Sequence, residues 1–307
     1  MQPIKSILLT FDVEDWFQVE NFKKHIPFSS WPDRELRVES NTRRLLDVLD
    51  GMSHNSLKGT QSETAPKATF FVLGWVAKRM PKLVRDIHAC GHEIASHGFN
   101  HNLCCDCTPA QLCEDLSESR KLLEDITGGS VYGYRAPGFS ISEDVLKMVE
   151  ECGYSYDSSY NSFSGNSRYG KLDLVRNGAG IASRISSSFF ELPVSNMHLG
   201  NTVIPIGGGG YFRLVPAPFF RRAVRRVLDR DNAYLFYLHP WEIDPDQPRV
   251  EQASLFFKFR HYVNLNKTLP RFAGLLKSLA GCRFMGCHDY IEQVCKNEFR
   301  AKTNLGI

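Results

Sequence analysis

Short apolar runs alternate with amphipathic segments along the first half of the chain. Residues 4–11 (IKSILLTF) and 68–74 (ATFFVLG) are apolar runs of strand length, and each is followed by a polar residue or ends in glycine. Between them, residues 42–49 carry leucines at helical spacing, and residues 53–67 are polar and rich in small side chains, which predicts a surface loop. The order strand, helix, strand predicts a βαβ unit.

The same alternation continues to about residue 160. Helical patterns cover residues 80–90, 109–126 and 142–152, and strand-like segments cover residues 93–95 and 132–134. Gly153 follows the last of these helices, at a position where glycine commonly ends a helix. This repetition predicts an α/β fold in which parallel strands are surrounded by helices.

The pattern is looser after residue 160. Residues 178–188 are small and polar, and residues 207–210 are four consecutive glycines. A helix is predicted over residues 218–228 and an apolar strand over residues 233–238, directly before His239. Because the chain has neither an internal repeat nor a clear linker, a single domain over residues 1–307 is predicted.

Length and charge narrow the class of protein. The 307 residues suit one α/β barrel of about 250 residues with insertions, and a net charge of +3 is far from that of a dedicated nucleic-acid binder. No apolar run reaches the roughly 18 residues of a membrane span, and the N-terminus lacks a signal-peptide pattern. We therefore expect a cytoplasmic protein that does not bind nucleic acid.

The nine cysteines are an odd number, and in a chain without an export signal they predict reduced thiols. Cys104, Cys105 and Cys107 closely follow His101. A second metal site is one interpretation of this cluster, but paired C-x-x-C spacing is absent, so ordinary thiols are favoured.

Two groups of polar residues are candidates for chemistry. Asp12, Glu14 and Asp15 follow a predicted buried strand, and barrel enzymes place catalytic groups at the carboxyl ends of their strands, although a surface turn is the alternative. His97 and His101 are four residues apart and would share one face if the segment were helical. Two neutral imidazoles and a carboxylate suit a zinc-like ion, whereas structural or surface histidines are the alternative.

Of two further candidate segments, one carries an arginine and the other a histidine. Arg135 precedes a turn, and its guanidinium could hold the Asp12 carboxylate, or it could simply be exposed beside the turn. His239 ends an apolar strand, where a buried structural histidine is the competing interpretation.

Together, four segments resemble the motif set of the NodB-type polysaccharide deacetylases, also called carbohydrate esterase family four. They are TFD at residues 10–12, HGFNH at 97–101, RAP at 135–137 and LH at 238–239. The resemblance covers roughly residues 7–160 and 233–241. The segments GGGYFR at 208–213 and YLHPWE at 237–242 also resemble the subgroup associated with exopolysaccharide gene clusters, which implies a subgroup-specific part over about residues 205–307.

The resemblance implies an irregular, seven-stranded (β/α) barrel of the NodB-homology type. It implies that Asp12 is the general base, His239 the general acid and Arg135 the tether of Asp12. His97 and His101 would bind one divalent metal ion, zinc by preference, with cobalt or nickel as alternatives.

The resemblance identifies the third metal ligand less directly, because the family's usual metal-binding acid falls on Val13, which cannot bind a metal. Glu14 is the predicted third ligand, with Asp15 as the alternative.

The implied reaction removes N-acetyl groups from an N-acetylated polysaccharide or its lipid-linked precursor. Trp16 and Trp241 could form apolar walls against a sugar ring, although core packing explains either one. The turn of Pro137, Gly138 and Phe139 would contact the substrate, and an amide near Gly138 or Phe139 would hold the oxyanion.

Two other functions stay open. One is a hydrolase of small cyclic amides or ureides on the same barrel, and the other is a sugar-binding pseudoenzyme. Four arginines at helical spacing indicate a solvated helix face or, alternatively, attraction to an anionic membrane or carrier phosphate. They are Arg221, Arg222, Arg225 and Arg226.

Overall fold

The structure is a computed structural model that describes residues 4–54, 65–163, 165, 168–174 and 180–294. Most of the predicted polar loop over residues 53–67 lies outside the described residues, as does the start of the segment 178–188.

The described part of the chain contains eleven strands and nine α-helices. The strands are β1 (Ser6–Val13), β2 (Ala68–Val72), β3 (Glu93–Ser96), β4 (Gly133–Tyr134), β5 (Tyr156–Asp157), β6 (Ser183–Arg184), β7 (Phe190–Glu191), β8 (Asn196–Leu199), β9 (Thr202–Pro205), β10 (Ala233–Leu238) and β11 (Arg283–Phe284). The helices are α1 (Val38–His54), α2 (Gly74–Arg79), α3 (Pro81–Ala89), α4 (Pro109–Thr127), α5 (Glu143–Glu151), α6 (Gly209–Leu214), α7 (Ala217–Asp231), α8 (Leu255–Tyr262) and α9 (Leu265–Ser278).

The predicted helices and strands of the first half are confirmed, with shifts of a few residues at their ends. Helix α4 shows why such segments are easily recognised. Thr108 and Gln111 form a reciprocal capping box at its start, and Gly128 adopts a left-handed conformation at its end. Local hydrogen bonds of this kind are encoded by neighbouring residues, so they are visible in the sequence.

The main sheet is curled. Seven of its strands pair in parallel with their neighbours in the order β10-β1-β2-β3-β4-β5-β7. Strand β6 adds antiparallel to β7, and β11 pairs with the start of β1, so the sheet has nine strands in total. An α/β fold with a curled parallel sheet is thus confirmed, whereas the implied number of seven strands matches only the path from β10 to β7, because β11 is also parallel to β1.

Irregular backbone bridges the two ends of the curled sheet. The Ser195 amide donates to the Leu235 carbonyl at 3.4 Å, and the Tyr237 amide donates to the Gly207 carbonyl at 2.7 Å. These bonds connect β10 to the segment that follows β7. The glycine-rich run 207–210 therefore lies where the two ends of the sheet approach each other. Glycine suits this close approach, because a Cβ on Gly208 would lie 2.3 Å from the Tyr237 ring.

Alternation along the strands determines which side chains face the barrel interior. All eight residues of β1 are buried, and Leu8 packs with Phe71 and Leu235 in the inner cluster. Because side chains alternate along a strand, Thr10 and Asp12 share the inner face with Leu8. The odd-numbered residues of β1 pack against the helices instead.

Among the described residues, no helix is both long and apolar enough to cross a membrane.

Candidate active site

A cleft opens at the carboxyl ends of the parallel strands. Asp12 lies near the end of β1, His97 directly follows β3 and His239 directly follows β10. The predicted site residues that line the cleft are Asp12, Glu14, His97, His101, Gly138, Phe139, His239 and Trp241. The remaining predicted residues, Asp15, Trp16, Arg135 and Pro137, are not part of this lining.

Glu14, His97 and His101 converge at the base of the cleft, and one ligand atom of each lies within 4.8 Å of the other two. Glu14 Oε2 lies 2.7 Å from His101 Nε2 and 4.0 Å from His97 Nε2. All three residues are buried. No other group of three or more potential ligands occurs in the described part of the chain.

The donors of this group fit one divalent ion. Glu14 Oε2 is buried and has no hydrogen-bond partner of suitable geometry, despite its short distance to His101. His97 Nδ1 lies 2.9 Å from the Arg135 carbonyl. A proton on Nδ1 would satisfy that carbonyl and leave the Nε2 lone pair facing Glu14, which is how metal-binding histidines are commonly oriented.

The pKa shifts of His97 and Glu14 favour the protonation states that bind a metal, a neutral imidazole and an ionised carboxylate. Burial lowers the pKa of His97 to about 4, so its imidazole is neutral at pH 7. Burial alone would raise the pKa of Glu14, but the neighbouring His101, His239 and His97 outweigh it and hold that pKa well below its ordinary value.

The segment that carries both histidines is a loop, so the condition under which they would share one face of a helix is not met. Gly98 has φ +72° and His101 has φ +57°, and both values interrupt helical geometry. The amides of Phe99 and Asn100 donate to the Asp115 carboxylate at 3.0 and 3.4 Å, which attaches the loop to α4. The two imidazoles therefore meet through a turn.

Of the two acids left open as third ligand, Glu14 faces the histidines and Asp15 does not. The Asp15 carboxylate accepts hydrogen bonds from the amides of Trp16 (2.9 Å), Arg37 (2.7 Å) and Val38 (2.9 Å). It thereby occupies amides at the start of α1. Adjacent residues at a strand end point in different directions, which separates the two carboxylates.

Asp12 is held by Arg135, whose side chain is fully buried. Arg135 Nη1 donates to Asp12 Oδ1 at 2.6 Å and to Thr10 Oγ1 at 2.8 Å. Its Nε and Nη2 donate to the carbonyl and hydroxyl of Ser158, both at 2.8 Å. The predicted contact is thus present, and Ser158 is a partner that no sequence pattern singled out.

His239 faces three carboxylates. Its Nδ1 lies 3.0 Å from Glu242 Oε2, and its Nε2 lies 3.5 Å from Glu14 Oε1 and 3.8 Å from Asp12 Oδ2. Burial would lower the pKa of His239, but Glu14, Glu242 and Asp12 raise it to about 9. Arg213 Nε donates to Glu242 Oε1 at 3.0 Å and compensates that buried charge.

Glu242 and Arg213 are site residues that the sequence analysis missed as functional groups. One signal was available: Glu242 lies three residues after His239, the spacing at which a side chain returns to the residue before a helical turn. The pairing with Arg213 spans 29 residues, and no local pattern predicts it.

The two predicted aromatic walls have different placements. Trp241 lines the cleft, lies 4.2 Å from the His261 ring with an interplanar angle of 9°, and donates from Nε1 to Glu14 Oε1 at 3.2 Å. Trp16 is buried, and its Nε1 donates to the Glu35 carbonyl at 3.0 Å. Its placement in the core corrects the expectation that Trp16 forms a wall of the site.

The turn Pro137–Phe139 provides a backbone donor. Gly138 and Phe139 line the cleft, and both have φ +60°. The Phe139 amide already donates to the Ala136 carbonyl at 2.9 Å. Between the two amides named from the sequence, the Gly138 amide is therefore the one left for a bound oxygen.

The cysteine cluster does not converge. Cys104 is buried beside the Tyr134 hydroxyl at 3.4 Å, Cys105 is exposed, and the Cys107 thiol faces the Leu103 carbonyl at 3.5 Å. These three thiols form no metal group among the described residues, and none of the eight described cysteines is in a disulfide.

Two family models match the chain. The polysaccharide deacetylase model matches residues 2–156, and a domain of unknown function, DUF3473, matches residues 158–292. The fold and the cleft at the carboxyl ends of the strands are consistent with the first match. The chain belongs to the polysaccharide deacetylase family.

Curated relatives cover parts of the chain. A peptidoglycan deacetylase-like protein of Gibberella zeae is 31% identical over 126 residues, which are 41% of this chain and 34% of the relative. A chitooligosaccharide deacetylase of Azorhizobium caulinodans is 30% identical over 122 residues, which are 38% of this chain and 58% of that protein. The matched region is thus less than two thirds of either relative.

Solved structures share the fold over nearly the whole chain. A Mycobacterium smegmatis protein assigned to the polysaccharide deacetylases has a TM-score of 0.60 at 19% identity, covering 97% of this chain and 93% of that one. The carbohydrate esterase domain of a multidomain xylanase from the hindgut metagenome of Trinervitermes trinervoides has a TM-score of 0.51 at 14% identity, covering 95% and 91%.

Proposed function

We propose that this protein is a metal-dependent hydrolase that removes N-acetyl groups from an N-acetylated polysaccharide or its lipid-linked precursor. The observation that carries the proposal is the convergence of Glu14, His97 and His101 beside the pair formed by Asp12 and Arg135. Membership of the polysaccharide deacetylase family supports the reaction class.

In this proposal Glu14, His97 and His101 hold one divalent ion, zinc by preference. When bound, such an ion polarises the acetamide carbonyl and lowers the pKa of a bound water toward about 7. Three protein ligands leave positions for water and substrate.

Asp12 and His239 carry out the proton transfers in this proposal. Asp12 takes a proton from the attacking water, and Arg135 holds one carboxylate oxygen so that the other faces the cleft. His239 gives a proton from Nε2 to the leaving nitrogen as the C–N bond breaks, while Glu242 orients its ring through Nδ1. The products are acetate and a free amine on the sugar.

The tetrahedral intermediate carries a negative oxygen that needs a fixed donor. Gly138 lines the cleft, and in this proposal its backbone amide supplies that donor. A side chain at this position would meet Leu103 Cδ2 at 2.8 Å and would have to adopt φ +60°, so glycine suits the turn.

Metal content per chain tests the centre first. We expect one equivalent of divalent ion in the wild-type protein, purified without a histidine tag, and its loss in His97→Ala and Glu14→Ala. Asp15→Ala is the matched control, because it removes a neighbouring acid that binds α1 amides. We expect it to keep the metal while losing about 1 kcal/mol of stability. Wild-type protein without metal after incubation with zinc, cobalt or nickel would favour a sugar-binding role.

Acetate release tests the substrate class. N-acetylglucosamine oligomers and cyclic ureides are offered in parallel to the metal-loaded protein, and we expect turnover of the oligomers only. Ureide hydrolysis without acetate release would instead assign the small-molecule reaction.

A further inference from the structure

Helix α8 presents an unusual apolar surface to solvent. Leu255, Phe256 and Phe259 are 82%, 62% and 59% exposed. At about 100° per residue these three side chains fall within about 100° of one face of the helix. Such a contiguous apolar face on a protein surface commonly marks a contact with a membrane or another protein. We call these three residues the α8 face.

The opposite side of α8 is anchored to the candidate active site. His261 is buried, stacks on Trp241 at 4.2 Å and lies 2.6 Å from Gln247 Oε1 through its Nε2. Arg260 and His261 both line the cleft. The α8 face is therefore held at the mouth of the cleft.

Three cations and one carboxylate lie beside the α8 face. Arg260 lies 5.6 Å from the Phe256 ring and Arg249 lies 4.2 Å from the Tyr262 ring. Neither guanidinium has a carboxylate within 4.0 Å among the described residues. Lys258 also borders the face, but its amine lies 3.5 Å from the Glu251 carboxylate, which compensates its charge.

We propose that the α8 face inserts into the headgroup region of an anionic lipid bilayer, with Arg249 and Arg260 contacting the lipid phosphates. An apolar helix face bordered by cations is the pattern of helices that lie in a membrane interface. Arginine stems cover apolar surface while their charged ends remain at the polar boundary.

The size of the surface favours lipid over a protein partner. Helix α8 has eight residues, so it is about 12 Å long. A stable protein interface takes about 20 to 30 residues from each side. Insertion into a lipid interface requires only that the apolar face be buried, which a helix of two turns achieves.

This binding step goes beyond the proposed hydrolysis, since no catalytic residue takes part in it. Where the proposed function holds, the step would bring the cleft mouth to glycans carried at a membrane surface. Vesicle binding is measured without any glycan, so its outcome is separate from that of the acetate assay.

Co-sedimentation with vesicles tests the proposal. The 307-residue protein is mixed with vesicles of phosphatidylcholine alone or of phosphatidylcholine with phosphatidylglycerol. We expect wild-type protein to bind the anionic vesicles and to be released by added salt. Leu255→Ser, Phe256→Ser and Phe259→Ser combined should weaken binding at least about tenfold. Arg249→Gln with Arg260→Gln should weaken binding to the anionic vesicles and remove its salt dependence.

Two controls locate the surface. Ile4→Ser removes an apolar side chain that is 62% exposed before β1, at the end of the barrel opposite the cleft. The second control replaces all four α7 arginines, Arg221, Arg222, Arg225 and Arg226, with Gln. Both controls should bind like wild type, and each variant is first checked for an unchanged thermal melt.

Three outcomes would overturn the proposal. In the first, wild-type protein stays in the supernatant with anionic vesicles. In the second, the triple serine variant binds as wild type does. In the third, binding is lost in the α7 variant. A concentration-dependent dimer that the triple serine variant abolishes, without vesicle binding, would assign the face to a second copy of the chain.

Discussion

At the scale of single residues, Asp12 and Arg135 form a buried ion pair at the candidate site. Both side chains are almost fully buried, and a buried charge is tolerated only when it is paired and hydrogen-bonded. Arg135 meets this condition through Asp12, Thr10 and Ser158. The pair fixes the orientation of the Asp12 carboxylate through contacts within the protein.

Replacement of Asp12 by Asn tests the proposed base. Asn retains the shape and an oxygen acceptor for Arg135 but cannot take a proton from water, so turnover should fall by about 100-fold to 10,000-fold. Steady-state acetate release measures the loss, and circular dichroism checks that the secondary structure is retained. Near-normal turnover in the purified variant would remove Asp12 from this role.

His92 gives a second prediction at this scale, about stability. Its ring is buried against Phe70, neither nitrogen has a hydrogen-bond partner among the described residues, and burial lowers its pKa to about 4. The unfolded chain, with a histidine pKa of about 6.5, binds the proton more readily. His92 therefore favours the fold above about pH 6.5, and this contribution is lost as the pH falls toward 4.

His92→Phe should remove this dependence, because an apolar ring fits beside Phe70. Between pH 7 and pH 5 the variant should lose about 2 kcal/mol less unfolding free energy than wild type. Urea titrations at the two pH values measure the difference. Parallel losses in both proteins would mean that His92 is not a buried neutral residue.

At the scale of elements, the turn Pro240–Ile243 after β10 organises much of the site. Glu242 orients the His239 ring, and Trp241 donates its indole proton to Glu14. Neighbouring residues in a tight turn diverge in direction, so one short segment reaches both the proposed acid and a proposed ligand. A hydrogen bond to the free oxygen of a ligating carboxylate fixes the orientation of that ligand.

Trp241→Phe should therefore weaken metal binding by about 10-fold to 100-fold, since partners of metal ligands contribute on that scale. Competition with a chelator measures the affinity directly and does not depend on turnover. Trp16→Phe is the matched control, because its buried indole donates to the Glu35 carbonyl instead. Equal affinities in the two variants would contradict a positioning role for Trp241.

At the scale of the whole molecule, the proposed metal joins separate parts of the barrel. Glu14 follows β1, whereas His97 and His101 follow β3, and β2 lies between these strands in the sheet. A ligand that binds only the folded state stabilises it by mass action. The metal should therefore contribute to the stability of the whole domain.

Zinc at about 100 times its dissociation constant should raise the melting temperature of wild type by about 5 °C, which a chelator reverses. Differential scanning calorimetry of wild type and of a His97→Ala, His101→Ala double variant measures this shift. The double variant should show no rise, and an equal rise in both proteins would place the stabilising zinc elsewhere.

Local patterns along the chain are enough to predict the alternation of strands and helices and to identify the residues available for chemistry. Apolar periodicity is local, and so are helix caps such as Thr108 and Gly128. Asp12, His97 and His239 were grouped because the short segments that carry them resemble the motif set of one family. These inferences need only the neighbours of each residue along the chain.

Which of the neighbouring candidates meet at the site depends on how distant segments pack in the folded chain. Glu14 reaches the histidines while Asp15 binds the start of α1, and Trp241 takes a place at the site while Trp16 lies in the core. Adjacent residues have nearly identical sequence contexts, yet their side chains point in different directions. The curvature of the sheet and the packing of distant segments, such as Arg213 against Glu242, determine the partner that each side chain finds.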